Sequence, residues 1–207
     1  MESQEKETMH VNAQATAQAK PRAKRDPEAR RRAIEQAAAE LLLEGGSQRL
    51  THRRVAERAQ VPLGSNTQYF SSIDELRRAG YAVISRAIEQ DYQEMIDRIH
   101  ESQGDIRVIA SCLVQYMNNK EEVRADAILY SAAVRDPELL QLASSGLERF
   151  VQSLKTYLSE EQANAVAIFI DGAFVEAGIF GRQFSEAYIL QVLQVLAEAT
   201  YTVSAQQ

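Results

Sequence analysis

The sequence predicts an all-α protein of about nine helices, and three observations predict it. Apolar residues recur at the three- and four-residue spacing of a helix face from about Ile34 to the last helical stretch at 185–203, and no stretch alternates with the period of two that a half-buried strand requires. Residues suited to starting or stopping helices punctuate that pattern: Asp26-Pro27-Glu28, Thr51, Pro62, Ser72 and Pro137 at starts, Gly45-Gly46 and Gly104 at stops. No strong hairpin signal and no internal repeat competes with them. With 207 residues and 45% hydrophobic content, the chain is long and apolar enough to bury a real core.

Residues 1–25 are rich in Gln, Ala, Lys, Glu and Thr, lack aromatic residues and show no sustained apolar period, the composition of a disordered tail. Its end, Lys20-Pro-Arg-Ala-Lys-Arg25, concentrates four positive charges in six residues. At Asp26-Pro27-Glu28 a cap, a first-turn proline and an acid that complements the helix dipole open a helix to about Glu44. Ile34, Ala37, Ala38, Leu41 and Leu42 fall on one face of it, Arg30, Arg31 and Arg32 lie near its beginning, and Gly45-Gly46 ends it. Thr51 caps a short helix to about Arg58 that buries Val55, Ala56 and Ala59, and Ala56 is small enough for a second helix to cross closely. Ala59-Gln60-Val61 forms the turn, and Pro62 opens a second short helix through Tyr69. Ser72-x-x-Glu75 is a capping-box pattern for a long helix carrying Leu76, Ala79, Val83, Ala87, Tyr92, Ile96 and Ile99 and ending before Gly104. Helical periods follow at 105–118, 120–134, 137–157, 160–181 and 185–203.

Charge divides the chain. The net charge is −6, yet residues 20–80 hold thirteen Lys/Arg against eight Asp/Glu, whereas residues 81–207 hold nine against eighteen. A basic head and an acidic body fit a protein that meets phosphates at one end only, because that attraction fades within a Debye length of about 8–10 Å. Cys112 is the single cysteine and only His10, His52 and His100 are present, so neither a disulfide nor a metal centre is expected, and no cofactor is implied. No run of about 18 apolar residues and no apolar leader segment suggest a membrane or export, which places the protein in the cytoplasm. There is no Ser/His/Asp order, no phosphate-cradling Gly loop and no ligand cluster, so an enzyme is not expected. Asp171 and Glu176, five residues apart, do not share a helix face.

The capped first helix, the Thr51-x-x-x-Val55-Ala56-x-x-Ala59-x-Val61 unit, the short helix ending in Tyr69-Phe70 and the Ser72-x-Asp74-Glu75-Leu76 helix start together resemble the N-terminal domain of TetR-family transcriptional regulators. The motif covers about residues 30–80. Gln60 stands where the family usually has Gly, Thr67 where a phosphate-contacting Tyr is common, and Ile73 where a phosphate-binding Lys is frequent. The resemblance implies residues 1–25 as a basic arm, 26–80 as a helix-turn-helix DNA-binding domain and 81–207 as an effector-binding and dimerisation domain. In a helix-turn-helix the second helix enters the major groove of double-stranded operator DNA. That assigns Leu63, Gly64, Ser65, Asn66 and Gln68 to the groove or its rim, with Asn66 and Gln68 suited to adenine and Leu63 to a thymine methyl. Thr51, His52, Arg53, Thr67 and Tyr69 are the candidates for phosphate contact.

The resemblance further implies a homodimer, a dimeric repressor released by a small-molecule effector. The last two helices offer stripes for pairing, Ala163, Val166, Ala167, Ile170, Phe174 and Ala177 on one and Ile189, Val192, Leu193, Leu196 and Ala199 on the other. The same period equally suits faces turned to the protein's own core. Cys112, Tyr116, Met117, Tyr130, Phe150, Tyr157, Phe169 and Phe174 are candidates to line an apolar effector pocket, with Asp171 or Glu176 as its polar fixing point. The competing readings are a DNA-binding protein without an effector and an α-helical enzyme.

Overall fold

A computed structural model describes residues 26–134 and 136–199; the basic run Lys20–Arg25 and the expected helical residues beyond 199 lie outside them. Among the described residues the chain forms α1 (Pro27–Gly45), a 3-10 turn (Ser47–Arg49), α2 (His52–Arg58), α3 (Leu63–Tyr69), α4 (Ile73–Glu101), α5 (Ile106–Asn118), α6 (Lys120–Ala133), α7 (Pro137–Leu154), α8 (Glu160–Phe180) and α9 (Glu186–Glu198). No strand occurs among them.

The caps explain the boundaries. Asp26 Oδ1 accepts from the backbone N–H groups of Glu28 and Ala29 at 3.0 and 3.1 Å, and Thr51 Oγ1 accepts from Arg54 N at 3.2 Å. These satisfy donors that a helix start otherwise leaves without partners. Ser72 Oγ accepts from Glu75 N, but the Glu75 carboxylate returns to the backbone and hydroxyl of Ser71 rather than to Ser72, so the expected box closes one residue early. A complete capping box stands instead at Ser159 and Gln162, opening α8. α7 ends at Leu154, three residues sooner than its apolar period suggested, because Lys155–Tyr157 turn back onto the last carbonyls of the helix.

α1, α2, α3 and the first turns of α4 form a head whose closest packing is α1 on α4. There Gly80 faces Leu42 and Ala38 so closely that a Cβ would stand 2.7 Å from Leu42 Cδ1. α4 then runs out of the head into the body, where it packs against α7, and Gly146 of α7 makes room for the Tyr92 ring. In the body α6 lies against α8, with Gly178 pressed to the carbonyl of Val123, and α5 lies against α9. One continuous apolar core runs from Ile34 in the head through Tyr92 to Leu193. Head and body are thus joined by packed side chains along α4.

α8 departs from expectation. By length and composition it is apolar enough to cross a membrane, although a third of its most apolar 18-residue window is buried in this fold. Both of its faces are apolar. Ala163, Val166, Ile170, Phe174 and Ala177 pack into the core, while Ile168, Val175 and Ile179 point outward.

Candidate DNA interface and effector site

The head is built as two short helices held at a tight turn. Gln60 takes the left-handed conformation, φ +55°, that the turn requires, at a cost on the order of 1 kcal/mol for a non-glycine residue. Val55 and Ala56 pack beneath α3, and Val61 N donates to the Ala56 carbonyl at 3.0 Å. Arg58 ties the end of α2 to α1 through Glu40 at 3.0 Å and Glu44 at 2.8 Å, which holds the guanidinium's proton more firmly than usual.

That frame sorts the expected DNA-reading residues. Leu63 is half exposed; Gly64, Thr67 and Gln68 are also outward, forming one row on α3, and the space before Gly64 is open. Ser65 is only partly exposed. Asn66 is a correction: it is fully buried, and its Nδ2 donates to the His52 carbonyl at 2.8 Å, so the amide expected in the groove bolts α3 to α2 instead. Helical spacing explains this, since Asn66 lies on the side of α3 opposite Gln68. Thr67 Oγ1 donates to the Leu63 and Gly64 carbonyls, and Tyr69 is half-buried against the core.

On α2, Thr51 is exposed, His52 is half-buried with Nδ1 enclosed and unpartnered, and Arg53 pairs with Glu57 at 3.0 Å in full solvent. Exposed i,i+4 pairs of this kind are worth a few tenths of a kcal/mol and yield readily to a phosphate. Arg54, not singled out from sequence, is exposed beside Arg53 with no ion pair among the described residues. Arg31 lies over the Phe70 ring, 5.7 Å from its centroid.

In the body the expected pocket residues divide. Tyr116, Phe150 and Phe174 gather around the Tyr92 ring with centroids 5.9–6.5 Å from it, and Tyr116 and Phe174 stand 4.9 Å apart. Cys112 and Met117 are buried on α5 near them, and burial pushes the Cys112 thiol's pKa up. Tyr130 and Phe169 are half-buried at the edge of the same core. Two expectations fail. Tyr157 is bound through its hydroxyl to His100 at the far end of α4, and Glu176 is held at the surface by Arg182 at 3.2 Å, so neither reaches the aromatic cluster.

The polar centre of that cluster is Asp126. It is buried, the Tyr116 hydroxyl donates to its Oδ2 at 2.6 Å, and desolvation pushes its pKa up to about 7 against the opposing pull of that hydrogen bond. Burial also raises the pKa of Asp171 and of the Tyr92, Tyr116 and Tyr130 hydroxyls. The sequence did contain the signal, a carboxylate on the apolar stripe Val123, Leu129 and Ala133 of α6. Beside Tyr116 a cleft of about 280 Å³ opens between α4, α5 and α6. A wider groove of about 980 Å³ separates head from body, between Ser47, Arg77 and Tyr81 on one side and Arg124, Ile128 and Leu139 on the other; none of the expected pocket residues lines it.

The expected pairing stripes also turn out differently. Ala163, Val166, Ile170, Phe174 and Ala177 on α8, and Ile189 and Leu193 on α9, are buried in the chain's own core. The outward face is a second stripe, Ile168, Gly172, Val175 and Ile179 on α8, continued by Tyr188 and Val195 on α9. Of the α9 stripe, Val192, Leu196 and Ala199 remain half-exposed beside it.

Comparison with known proteins places this arrangement. No protein-family model and no curated protein matches the chain. Solved structures do. A member of the TetR family, SCO1917 from Streptomyces coelicolor A3, is 26% identical over 82% of this chain and 99% of its own, with a TM-score of 0.69. The multidrug binding protein EbrR in complex with ethidium matches with the same identity, coverages and TM-score, and EbrR is also known with imidazole, proflavin and malachite green. SCO7518 from Streptomyces coelicolor A3(2) shares the fold at 23% identity, 82% and 99% coverage and a TM-score of 0.67.

Proposed function

The chain has the fold of the TetR-family transcriptional regulators, and from that premise we propose that it binds operator DNA as a homodimer and is released from it by a small-molecule effector. The observation that carries the DNA reading is the outward row Leu63, Gly64, Thr67 and Gln68, presented by a helix whose opposite side is bolted to α2 through Asn66. A recognition helix must keep its base-facing side free while its other side is held rigid. Gln68 is the base-reading residue, Leu63 meets a thymine methyl, Gly64 admits close backbone approach, and Ser65 lies at the rim. Thr51, His52, Arg53, Thr67 and Tyr69, with Arg54 added, lie toward phosphates and set register rather than sequence.

The outward apolar stripe of α8 and α9 supports pairing. It offers Ile168, Val175 and Ile179 to solvent at 75, 45 and 61% exposure, and Gly172 stands among them with open space in front, so that a partner helix can approach closely. Two such helices from each subunit form a four-helix interface under two-fold symmetry. The aromatic cluster around Tyr92, with Tyr116, Phe150, Phe174 and Asp126, supports the sensing role, and EbrR, with its aromatic ligands, supports small aromatic compounds as the class of effector. A ligand acts by favouring the arrangement that does not fit DNA, through α4, which carries both Leu76 in the head and Tyr92 in the body. Such a regulator works in the cytoplasm, where its DNA is.

Selection of bound fragments from genomic DNA, followed by a salt series on the selected and on random duplexes, tests this. The regulator reading expects a selected site bound at least 1,000-fold more tightly than random sequence. Equal affinities would leave a non-specific DNA-binding protein.

A further inference from the structure

We propose that the groove between head and body binds an organic carboxylate with an apolar body. The inference goes beyond the sensor reading and does not depend on it, since the groove of about 980 Å³ takes none of its walls from the aromatic cluster. The head contributes Arg77, from the first turns of α4, and the body contributes Arg124, from α6. Asp136 is the one carboxylate on the lining among the described residues, and both of its oxygens are engaged: Oδ1 accepts from Glu138 N at 3.1 Å as the cap of α7, and Oδ2 lies 3.6 Å from Arg78. Asp74 and Glu138, which flank these arginines, are paired with Arg77 at 3.1 Å and with Arg78 at 3.2 Å. The acids are thus answered by Arg77 and Arg78, and Arg124 is left over. It is exposed and has no ion pair among the described residues, whereas Arg107, Arg149 and Arg182 of the same acidic body each pair with a carboxylate.

A buried donor borders the same space. Tyr81 is 3% exposed, lines the groove, and its hydroxyl has no hydrogen-bond partner among the described residues. Burial pushes its pKa up, against the pull of the Arg77 guanidinium one helical turn away. A hydroxyl so enclosed ordinarily has a partner, and here the chain supplies none. The hydroxyls of Ser47 and Ser131, also on the lining, make no side-chain hydrogen bond among the described residues either. What stands unengaged around the groove is therefore a set of donors. A carboxylate carries acceptors only, and its two oxygens take a planar guanidinium as a fork while still accepting from a hydroxyl. An ammonium would bring donors to donors. The remaining wall, Ile128, Ala132, Leu139 and Ile179, suits an apolar body, which an inorganic anion lacks. A ligand bound in this way touches Arg77 and Tyr81 on one side and Arg124 on the other, and so holds head against body.

The test is isothermal titration calorimetry of the full-length protein with 4-phenylbutyrate, with its neutral isostere 4-phenylbutyramide and with 4-phenylbutylammonium. The carboxylate is expected to bind roughly tenfold more tightly than either analogue, the worth of a hydrogen bond to a charged group. Arg124→Gln, at an exposed position without an ion pair where folding is not at stake, and Tyr81→Phe, which removes only the hydroxyl, are each expected to weaken the carboxylate by roughly fivefold or more and to leave the amide unchanged. Equal binding of the carboxylate and the amide, no binding of the carboxylate, or wild-type affinity in either variant overturns the proposal. The sensor reading is untouched by these outcomes, because its residues lie in the aromatic cluster and not on this groove.

Discussion

Gln68 and Asn66 are two residues apart and chemically close, yet they are expected to answer a substitution in opposite ways. Gln68→Ala removes an outward amide and should relax base preference at one position of each half-site by about 1–3 kcal/mol with the melting temperature unchanged, measured as operator-variant affinities. Asn66→Ala removes a buried bolt between α2 and α3 and should lower stability by about 2 kcal/mol, read from denaturant unfolding. A change in base preference for Asn66→Ala with full stability would put its side chain in the groove after all. Asp126 supplies a second residue-level prediction. Its folded pKa of about 7 lies above its ordinary value of 3.8, so between about pH 4 and 7 the folded chain holds the proton that the unfolded chain has released. Stability is present in full below that window and declines as pH rises through it, and Asp91, Asp171 and Glu122, raised mainly by burial, act in the same sense. Asp126→Asn should flatten the decline by on the order of 2 kcal/mol, measured by urea unfolding at pH 5 and pH 8. An unchanged slope would mean that this carboxyl ionises freely in the folded protein.

At the scale of the element, α8 is apolar on two faces. One face, from Ala163 to Ala177, closes the core, and the other, from Ile168 to Ile179, is left exposed among the described residues. A helix buried on one side only would carry polar residues on the other; here both sides are apolar, which is the pattern of a helix buried twice. Ile168→Glu together with Val175→Glu places two charges on the outward face and none in the core. The pair should therefore yield a folded monomer in sedimentation, with operator affinity down at least 100-fold because one head alone meets one half-site. A double variant that remains dimeric would move the interface elsewhere.

Across the whole molecule the two ends answer to different forces. On the proposed reading the head meets phosphates, while the acidic body lies beyond it along the 29-residue α4. The head shows few typical phosphate anchors, with Thr67 bonded to its own helix, Ile73 apolar and 38% exposed, and Arg31 turned to Phe70. The four positive charges of Lys20–Arg25 are the nearest reserve along the chain. Deleting residues 1–25 should flatten the dependence of log affinity on log salt by up to about 3.6, at roughly 0.9 for each of the four charges that meets a phosphate, while base preference stays as it was. An unaltered slope would leave that run without a part in binding.

Much of this was legible in the residues. Periodicity and capping chemistry located all nine described helices to within a few residues, because a helix start is decided by a side chain and its own backbone neighbours: Asp26, Thr51 and Ser72 cap where their spacing said they would. The helix-turn-helix was readable from its resemblance to a known motif, and Gln60, standing where that motif usually has Gly, takes the left-handed conformation. Which way a residue faces was less so. Asn66 turned inward because the His52 carbonyl, fourteen residues away, is an acceptor that only the crossing of α2 and α3 brings within reach. The outward stripe of α8 was hidden because a helix apolar on both faces gives a weak periodic signal, and the choice between its faces was made by α6 packing on Gly178. Asp126 reads on paper as an ordinary acid, and Tyr92 as plain core. What made them a candidate site is that α4, α5, α6 and α8 converge on the same point, a matter of tertiary packing that no local spacing encodes.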